Sequence, residues 1–226
     1  MMTKFIEILK EQLKSELPGE KAHKIMAPNT RFTGSVMPDK EIAKASAVLI
    51  LIYPKNGSLH IPFILRPEYD GAHSGQVSLP GGKAEPNDPD ISYTALRETY
   101  EEIGIDISRM NLLGRLSEIY IPNSNFVVHP FIGYLSQTPT FTPDPFEVQA
   151  VIEADLYDLL QPETVSVFEK EKNGHHIIAP YFNIENNKIW GATAMIISEF
   201  KEVIANSGYN ITPSDFYNAH NVQESH

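Results

Sequence analysis

Three glutamates stand close together in the stretch RETYEEIGI, which runs from Arg97 to Ile105. Glu98 lies three residues before Glu101 and four before Glu102, so a helix would project all three side chains from one face. Like charges at these spacings repel each other by roughly a few tenths of a kcal/mol per pair. We therefore expect a positive group other than a side chain over this face. Clustered carboxylates are hard oxygen ligands, which suit Mg²⁺ or Mn²⁺ better than zinc.

A hard cation held by carboxylates suits an enzyme that acts on a diphosphate. Magnesium usually takes one or two protein carboxylates together with waters and phosphate oxygens. Such an ion also lowers the pKa of a bound water, which favours attack on phosphorus. The alternative interpretation is a solvated acidic helix face, and the glutamates by themselves leave both interpretations open.

The composition restricts the class of protein. A chain of 226 residues with 42% hydrophobic residues fits one globular domain with short extensions. The formal net charge of −11, without a basic stripe, argues against a nucleic-acid partner. There are no cysteines, which excludes disulfides and thiolate chemistry. The sequence has neither an apolar run of bilayer-spanning length nor a signal-peptide core, so we expect a cytoplasmic protein without a membrane partner.

The sequence pattern places the glutamates on a helix within an α/β fold. A helix is expected over about 89–103, with Asp88 as its N-cap and Gly104 as its stop. Upstream, ASAVLILIYP and LHIPFILR read as strands joined by an Asn-Gly turn. Further strands follow, then a short helix at DLYDLL and a last long helix from Ile189. This order predicts an α/β (α+β) sandwich, a mixed sheet flanked by helices.

The segment GGKAEPNDPDISYTALRETYEEIGI resembles the Nudix box, G-x5-E-x7-R-E-U-x-E-E-x-G-U, in which U is a bulky apolar residue. The positions that match are Gly82, Arg97, Glu98, Glu101, Glu102, Gly104 and Ile105. Asp88 stands where the first glutamate is usual, with one extra residue before Arg97, and Thr99 occupies a normally apolar position. Arg97 is therefore expected to be tethered either to Asp88 or to Glu85.

These departures resemble the coenzyme A pyrophosphatase branch of the Nudix hydrolases. The branch resemblance includes TALRE, the upstream stretch LRPEYDGAHSGQVSLPGG from Leu65, FEV at 146–148 and IWGATA at 189–194. It implies a Nudix-type sandwich that hydrolyses nucleoside diphosphates linked to a group X, with Mg²⁺ or Mn²⁺ as cofactor. For this branch the implied substrate is coenzyme A or one of its thioesters, whose diphosphate is cleaved to give 3′,5′-ADP and (acyl-)4′-phosphopantetheine. We expect an N-terminal helix and linking segment at 1–45, the Nudix hydrolase domain at 46–206 and a polar tail at 207–226.

The resemblance also implies roles for individual acidic residues. Glu98 and Glu102 would ligate the metal, since their i, i+4 spacing lets both reach one ion. Glu101 would complete the metal shell or accept the proton of the attacking water. Glu147, in the loop TPDPFEV, is the candidate general base; its alternative is a solvated loop carboxylate.

Other residues are expected to shape the site. Gly81 and Gly82 permit a tight turn that brings the backbone up to the metal, and the carbonyl of Gly82 is a candidate ligand. Arg97, through a bidentate contact with a carboxylate such as Asp88, would orient the loop.

The upstream stretch is the expected substrate-binding element. Arg66 would pair with a substrate phosphate, or alternatively cap a strand end. For His73, bonding to loop carbonyls is favoured over a substrate contact. Gly75 suggests close backbone approach and an anion-binding nest.

Two other functions stay open at this point. One is a broad nucleotide pyrophosphatase acting on ADP-ribose or dinucleoside polyphosphates. The other is a nucleotide-sensing Nudix module without activity, which the intact set of glutamates disfavours. The expected partner is a small nucleotide substrate, and a homodimer is left open.

Overall fold

The computed structural model describes residues 2–30, 42–67, 75–122, 124–172 and 175–212. The helices are α1 (Met2–Gln12), α2 (Glu20–Ile25), α3 (Ile91–Ile103), α4 (Leu156–Leu160) and α5 (Ala192–Asn206). The strands are β1 (Lys44–Lys55), β2 (Ser58–Leu65), β3 (Val77–Ser78), β4 (Gly81–Lys83), β5 (Asn111–Arg115), β6 (Ile119–Ile121), β7 (Phe126–Tyr134), β8 (Ala150–Asp155), β9 (Val165–Lys172), β10 (His175–Ile184) and β11 (Asn187–Trp190). Within these ranges, no helix is both long and apolar enough to cross a membrane.

The strands form a large mixed sheet and a small antiparallel one. The main order is β3-β2-β1-β7-β5, with β4 paired to β1, β6 to β7 and β8 to β2. β1 and β7 are parallel, whereas the other pairs in this sheet are antiparallel. The second sheet has the order β11-β10-β9. A mixed sheet flanked by helices was predicted, and the prediction is confirmed.

β1 is buried on both of its faces, which explains its continuous apolar sequence. Leu49 and Leu51 point into a core beneath α3, whereas Ile50 and Ile52 point into a core shared with α1 and α5. Alternate residues of a strand point to opposite faces, so a strand between two layers must be apolar at every position. The strand therefore holds α3 against a rigid sheet.

The turn between β1 and β2 follows the sequence prediction. Asn56 and Gly57 both have positive φ, at 49° and 77°. Positive φ at both central residues is typical of the type I′ turn, whose twist matches that of the flanking strands. The Asn-Gly signal is confirmed.

Three elements differ from the sequence prediction. α2 lies in the stretch that we expected to link the N-terminal helix to the domain. Gly81 and Gly82 belong to β4, which pairs with β1, and do not form a simple turn. Ile189 and Trp190 end β11 because they pair with Phe182 and Tyr181, so the last helix begins only after Gly191, at φ 66°.

Candidate functional site

The helix that carries the three glutamates is fixed at both ends by local capping. The Asp90 carboxylate accepts hydrogen bonds from the backbone N–H of Ser92, at 2.8 Å, and of Tyr93, at 2.9 Å. Asp90 is therefore the N-cap, and the prediction of Asp88 was wrong by two residues. Gly104 ends the helix in the left-handed conformation, at φ 74°, as predicted.

Asp88 is instead the partner of Arg97. Arg97 donates from Nε to Asp88 Oδ1 at 2.9 Å and from Nη2 to Oδ2 at 3.1 Å, a bidentate contact. The Thr94 hydroxyl and the Glu85 backbone N–H also donate to Asp88, at 2.7 and 3.0 Å. The hydrogen bonds from Arg97 lower the pKa of Asp88 well below its usual range. Of the two tethers left open above, the structure shows Asp88; Glu85 contributes only its backbone.

Arg97 also links the helix to the glycine strand and to two of the glutamates. Its Nη2 donates to the backbone carbonyl of Lys83 at 3.0 Å, which joins α3 to β4. Its Nη1 donates to Glu98 at 2.9 Å and to Glu101 at 2.7 Å. Arg97 therefore orients β4 and the first turns of α3 as one unit.

Glu102 is the most deeply buried acidic residue of the site, with 1% of its surface exposed. It accepts a hydrogen bond from Arg66 Nη2 at 2.9 Å and another from the Gly81 N–H at 2.8 Å. Burial raises the pKa of Glu102 to about 7, although Arg66 and the Gly81 N–H oppose the rise. The negative charges of Glu98 and Glu147 raise it further. The protein's own groups therefore leave the charged form of this carboxylate under-compensated.

Glu98 lies directly against the next residue of the glycine strand. A Cβ added to Gly82 would overlap the Glu98 carboxylate, so any other residue there would displace that side chain. Burial raises the pKa of Glu98, partly offset by Arg97. Gly81 has φ 149°, and a Cβ there would overlap the backbone of Ala47. Two consecutive glycines thus bring the backbone up to two carboxylates one helical turn apart, those of Glu98 and Glu102.

The other acidic residues are more exposed. The Glu101 side chain is 51% exposed and bonded to Arg97. Glu147 is exposed, and its charge contributes to the raised pKa of both Glu98 and Glu102. Its turn is anchored to the helix because the Asp144 N–H donates to the Glu102 carbonyl at 3.0 Å.

The arrangement fits a hard divalent cation that keeps water and substrate ligands. Over the described ranges, no three acidic or imidazole side chains form a complete metal cage. Glu98 and Glu102 do form a pair beside the Gly81–Gly82 backbone, and magnesium commonly takes one or two carboxylates. The raised pKa values of both carboxylates indicate that a cation would lower the free energy of their charged forms.

Of the three expected substrate-binding residues, the structure describes Arg66 and Gly75. Arg66 donates to Glu102 and, at 3.3 Å, to the Gly81 carbonyl, so its guanidinium lies at the site. Gly75 lies at φ 61° and its N–H donates to the Pro67 carbonyl at 3.3 Å. His73 lies outside the described residues. Sequence reasoning missed the contact between Arg66 and Glu102, because the two are 36 positions apart and on different elements.

Comparison with known proteins identifies the family. A family model described as NUDIX domain matches residues 43–179. Nudix hydrolase 15, mitochondrial, of Arabidopsis thaliana is 38% identical over 167 residues, which cover 71% of this chain and 58% of that protein. Mitochondrial coenzyme A diphosphatase NUDT8 of Homo sapiens is 32% identical, over 73% of this chain and 71% of that protein. The chain belongs to the Nudix hydrolase family, as its sequence predicts.

Solved structures support the fold. The crystal structure of a Nudix hydrolase from M. smegmatis, RenU, superposes with a TM-score of 0.51 at 14% identity, over 75% of this chain and 91% of that one. The chain spans less than two thirds of the length of the Arabidopsis mitochondrial relative. The names of these plant and human relatives assign them to mitochondria, so the cytoplasmic location of this chain stays a prediction.

Proposed function

We propose that this chain hydrolyses the diphosphate of a nucleoside diphosphate linked to another group, with coenzyme A or its thioesters as the first substrates. The observation that carries the proposal is a pair of carboxylates, the half-buried Glu98 and the buried Glu102, packed against the Gly81–Gly82 backbone. The human relative named as a coenzyme A diphosphatase supports this choice of substrate. We further propose 46–206 as the hydrolase domain, with 1–45 and 207–226 as its extensions.

Glu98 and Glu102 would hold Mg²⁺ or Mn²⁺, with the Gly82 carbonyl as the candidate backbone ligand. When bound, the ion would neutralise phosphate charge and lower the pKa of a coordinated water. Glu101 would contribute to metal binding or to proton transfer only by exchanging its contact with Arg97. Glu98 also bonds to Arg97, but the greater exposure of Glu101 makes it a weaker ligand candidate than the two carboxylates at the glycines.

The chain's own cations position this pair. Arg66 holds Glu102 in place and would also pair with a substrate phosphate. Arg97 fixes the glycine strand to α3 through the Lys83 carbonyl and Asp88. Glu147, exposed on a turn anchored to the end of α3, would accept the proton from the attacking water.

Product analysis after incubation of the protein with coenzyme A and Mg²⁺ tests the proposal. We expect 3′,5′-ADP and 4′-phosphopantetheine, and loss of both products in Glu98→Gln. Glu11→Gln is the matched control, because Glu11 is an exposed residue of α1 whose side chain bonds to the exposed Lys14. Faster cleavage of ADP-ribose or diadenosine polyphosphates would replace coenzyme A by a broader substrate class. Nucleotide binding without cleavage of any of these compounds would overturn the proposal in favour of a sensing module.

A further inference from the structure

Phe146 is the most exposed large apolar side chain in the part of the chain that the structure describes, at 90%. The next one, Ile42, is 65% exposed. An aromatic ring in water is a source of binding free energy, because a partner that covers it removes apolar surface from water. Single exposed apolar residues are common, so the position of this ring must show whether it has a role.

The turn that carries Phe146 is held in one conformation by its own hydrogen bonds. The Asp144 carboxylate accepts from the Phe146 N–H at 2.9 Å. The Asp144 carbonyl accepts from the N–H groups of Glu147, at 3.1 Å, and Val148, at 2.8 Å, which winds the segment into one helical turn. Val148 is 2% exposed and belongs to the core beneath α3. Because residues two positions apart in such a turn point about 200° apart, the turn directs Phe146 away from the core and into solvent.

Two backbone hydrogen bonds join this turn to the candidate metal site. The Asp144 N–H donates to the Glu102 carbonyl at 3.0 Å. The Gln149 N–H donates to the carbonyl of Leu65 at 2.8 Å, and the residue after Leu65 supplies the guanidinium that bonds to the Glu102 carboxylate. Consecutive Cα atoms are about 3.8 Å apart, so the Cα of Phe146 lies within about 8 Å of that of Asp144. Phe146 therefore stands at the rim of the site.

The charges around the ring indicate which part of a nucleotide it would meet. Asp144 and Glu147 flank Phe146 in the turn, and their carboxylates would repel phosphate groups. The group at the ring should therefore be uncharged. A nucleobase has apolar faces and polar edges, so it can stack on one exposed ring while its edges stay in water. An aliphatic chain would instead be expected in an apolar groove, which a single ring on an acidic turn does not provide.

We propose that Phe146 stacks on the nucleobase of the substrate and thereby contributes to the choice of nucleotides over other diphosphates. The inference rests on the proposed function, since it assigns a base contact at the same site. Phe146 binds the base and carries no proton, so its contribution lies in substrate affinity. Stacking requires a flat ring, so tyrosine or tryptophan should replace Phe146 and leucine should not.

Steady-state hydrolysis of coenzyme A tests the contact with three variants. Phe146→Ala and Phe146→Leu should each raise KM about tenfold, with kcat near the wild-type value, because one stacked base contributes about that factor or more. Phe146→Tyr should keep the wild-type KM. Ile25→Ala, which removes an exposed apolar side chain from α2, is the control and should change neither constant. A wild-type KM in Phe146→Leu or in Phe146→Ala would overturn the inference, the first in favour of a general apolar contact.

Base stacking has a readout that does not require turnover. Phe146→Trp places a fluorophore at this position, and the wild type, whose only tryptophan is Trp190, supplies the background. In Mg²⁺, adenosine 5′-monophosphate should quench the added emission, and ribose 5-phosphate, which lacks the base, should not. Ile25→Trp is the control, since α2 packs against α5 on the other face of the large sheet. Equal quenching by the two compounds, or in the two variants, would overturn the inference. If the wild type cleaves no nucleoside diphosphate, the proposed function fails, and this titration still decides the base contact separately.

Discussion

Two buried glutamates, Glu102 and Glu199, show how the same side chain behaves in a site and in a core. Both are almost completely buried, at 1% and 0% exposure. Glu199, on α5, accepts hydrogen bonds from the Ser117 hydroxyl at 2.6 Å, from the Gly19 N–H at 3.0 Å and from the Ser117 N–H, and it bonds to His23 at 2.9 Å. Glu102 has Arg66 and one backbone N–H.

The difference in bonding gives opposite shifts in pKa. Burial favours the neutral form of both carboxyls, but the bonds from His23 and Ser117 outweigh it and lower the pKa of Glu199. Burial prevails at Glu102 and raises its pKa to about 7. Glu199 therefore joins α2, α5 and the segment after β5 as a structural network, whereas Glu102 retains capacity to bind a further positive charge.

The largest expected effect is a loss of activity when Glu102, the glutamate of the site, is replaced. Glu102→Gln should lower coenzyme A hydrolysis by about 100-fold, because several kcal/mol of transition-state stabilisation depend on the metal. Its free energy of unfolding without divalent ions should stay within about 1 kcal/mol of wild type, since the amide still accepts the Gly81 N–H. Rate measurements in Mg²⁺, paired with urea unfolding in EDTA, check both. Full activity in this variant would remove Glu102 from the site.

The converse variant should lose stability and keep its chemistry. Glu199→Gln should reduce the free energy of unfolding by about 2 kcal/mol, because His23, Ser117 and Gly19 lose a charged acceptor in a buried place. The folded fraction should hydrolyse coenzyme A at the wild-type rate. Urea unfolding and specific activity at 20 °C or below are the measurements, and an unchanged unfolding midpoint would contradict the structural assignment.

A steric change at the glycine strand should have a smaller effect on activity. Gly82→Ala would place a Cβ into the Glu98 carboxylate and displace it from the backbone. We expect about a tenfold lower kcat/KM, equivalent to about 1.4 kcal/mol. Gly208→Ala serves as a control for folding, because nothing lies within 4 Å of a Cβ at that position, although its φ of 68° adds backbone strain. Equal activity of Gly82→Ala and wild type would show that Glu98 need not face the glycine.

The smallest expected effect is the pH dependence of the structural carboxylate. The pKa of Glu199 is lowered on folding, so its contribution to stability is complete above its unfolded value of about 4.5. As the pH falls, the carboxyl group of Glu199 is protonated first in the unfolded state. The contribution is lost by the time the pH has fallen through the folded pKa. The stability difference between wild type and Glu199→Gln should therefore hold from pH 7 to 5 and shrink below pH 4.5. A difference that grows on acidification would contradict the sign.

The local part of the site could be predicted from the sequence, whereas the long-range contacts of the site and of the core could not. The spacing of Glu98 and Glu102 places both on one helix face, and Gly104 ends that helix, because both features depend on neighbours within a few residues. The partners of Glu199 lie 82 to 180 positions away along the chain, so no spacing reveals them. The helix N-cap was misassigned for a different reason, because two aspartates two residues apart could cap the helix: Asp90 does so, whereas Asp88 bonds to Arg97.

Calorimetric titration of Mn²⁺ or Mg²⁺ into wild type, Glu102→Gln and Glu199→Gln tests the central claim most directly. The wild type and Glu199→Gln should bind the ion with the same affinity, and Glu102→Gln should bind it at least about tenfold more weakly, a difference of about 1.4 kcal/mol. Equal affinity in Glu102→Gln would contradict the account, because the under-compensated buried carboxylate would then not be the group that holds the metal.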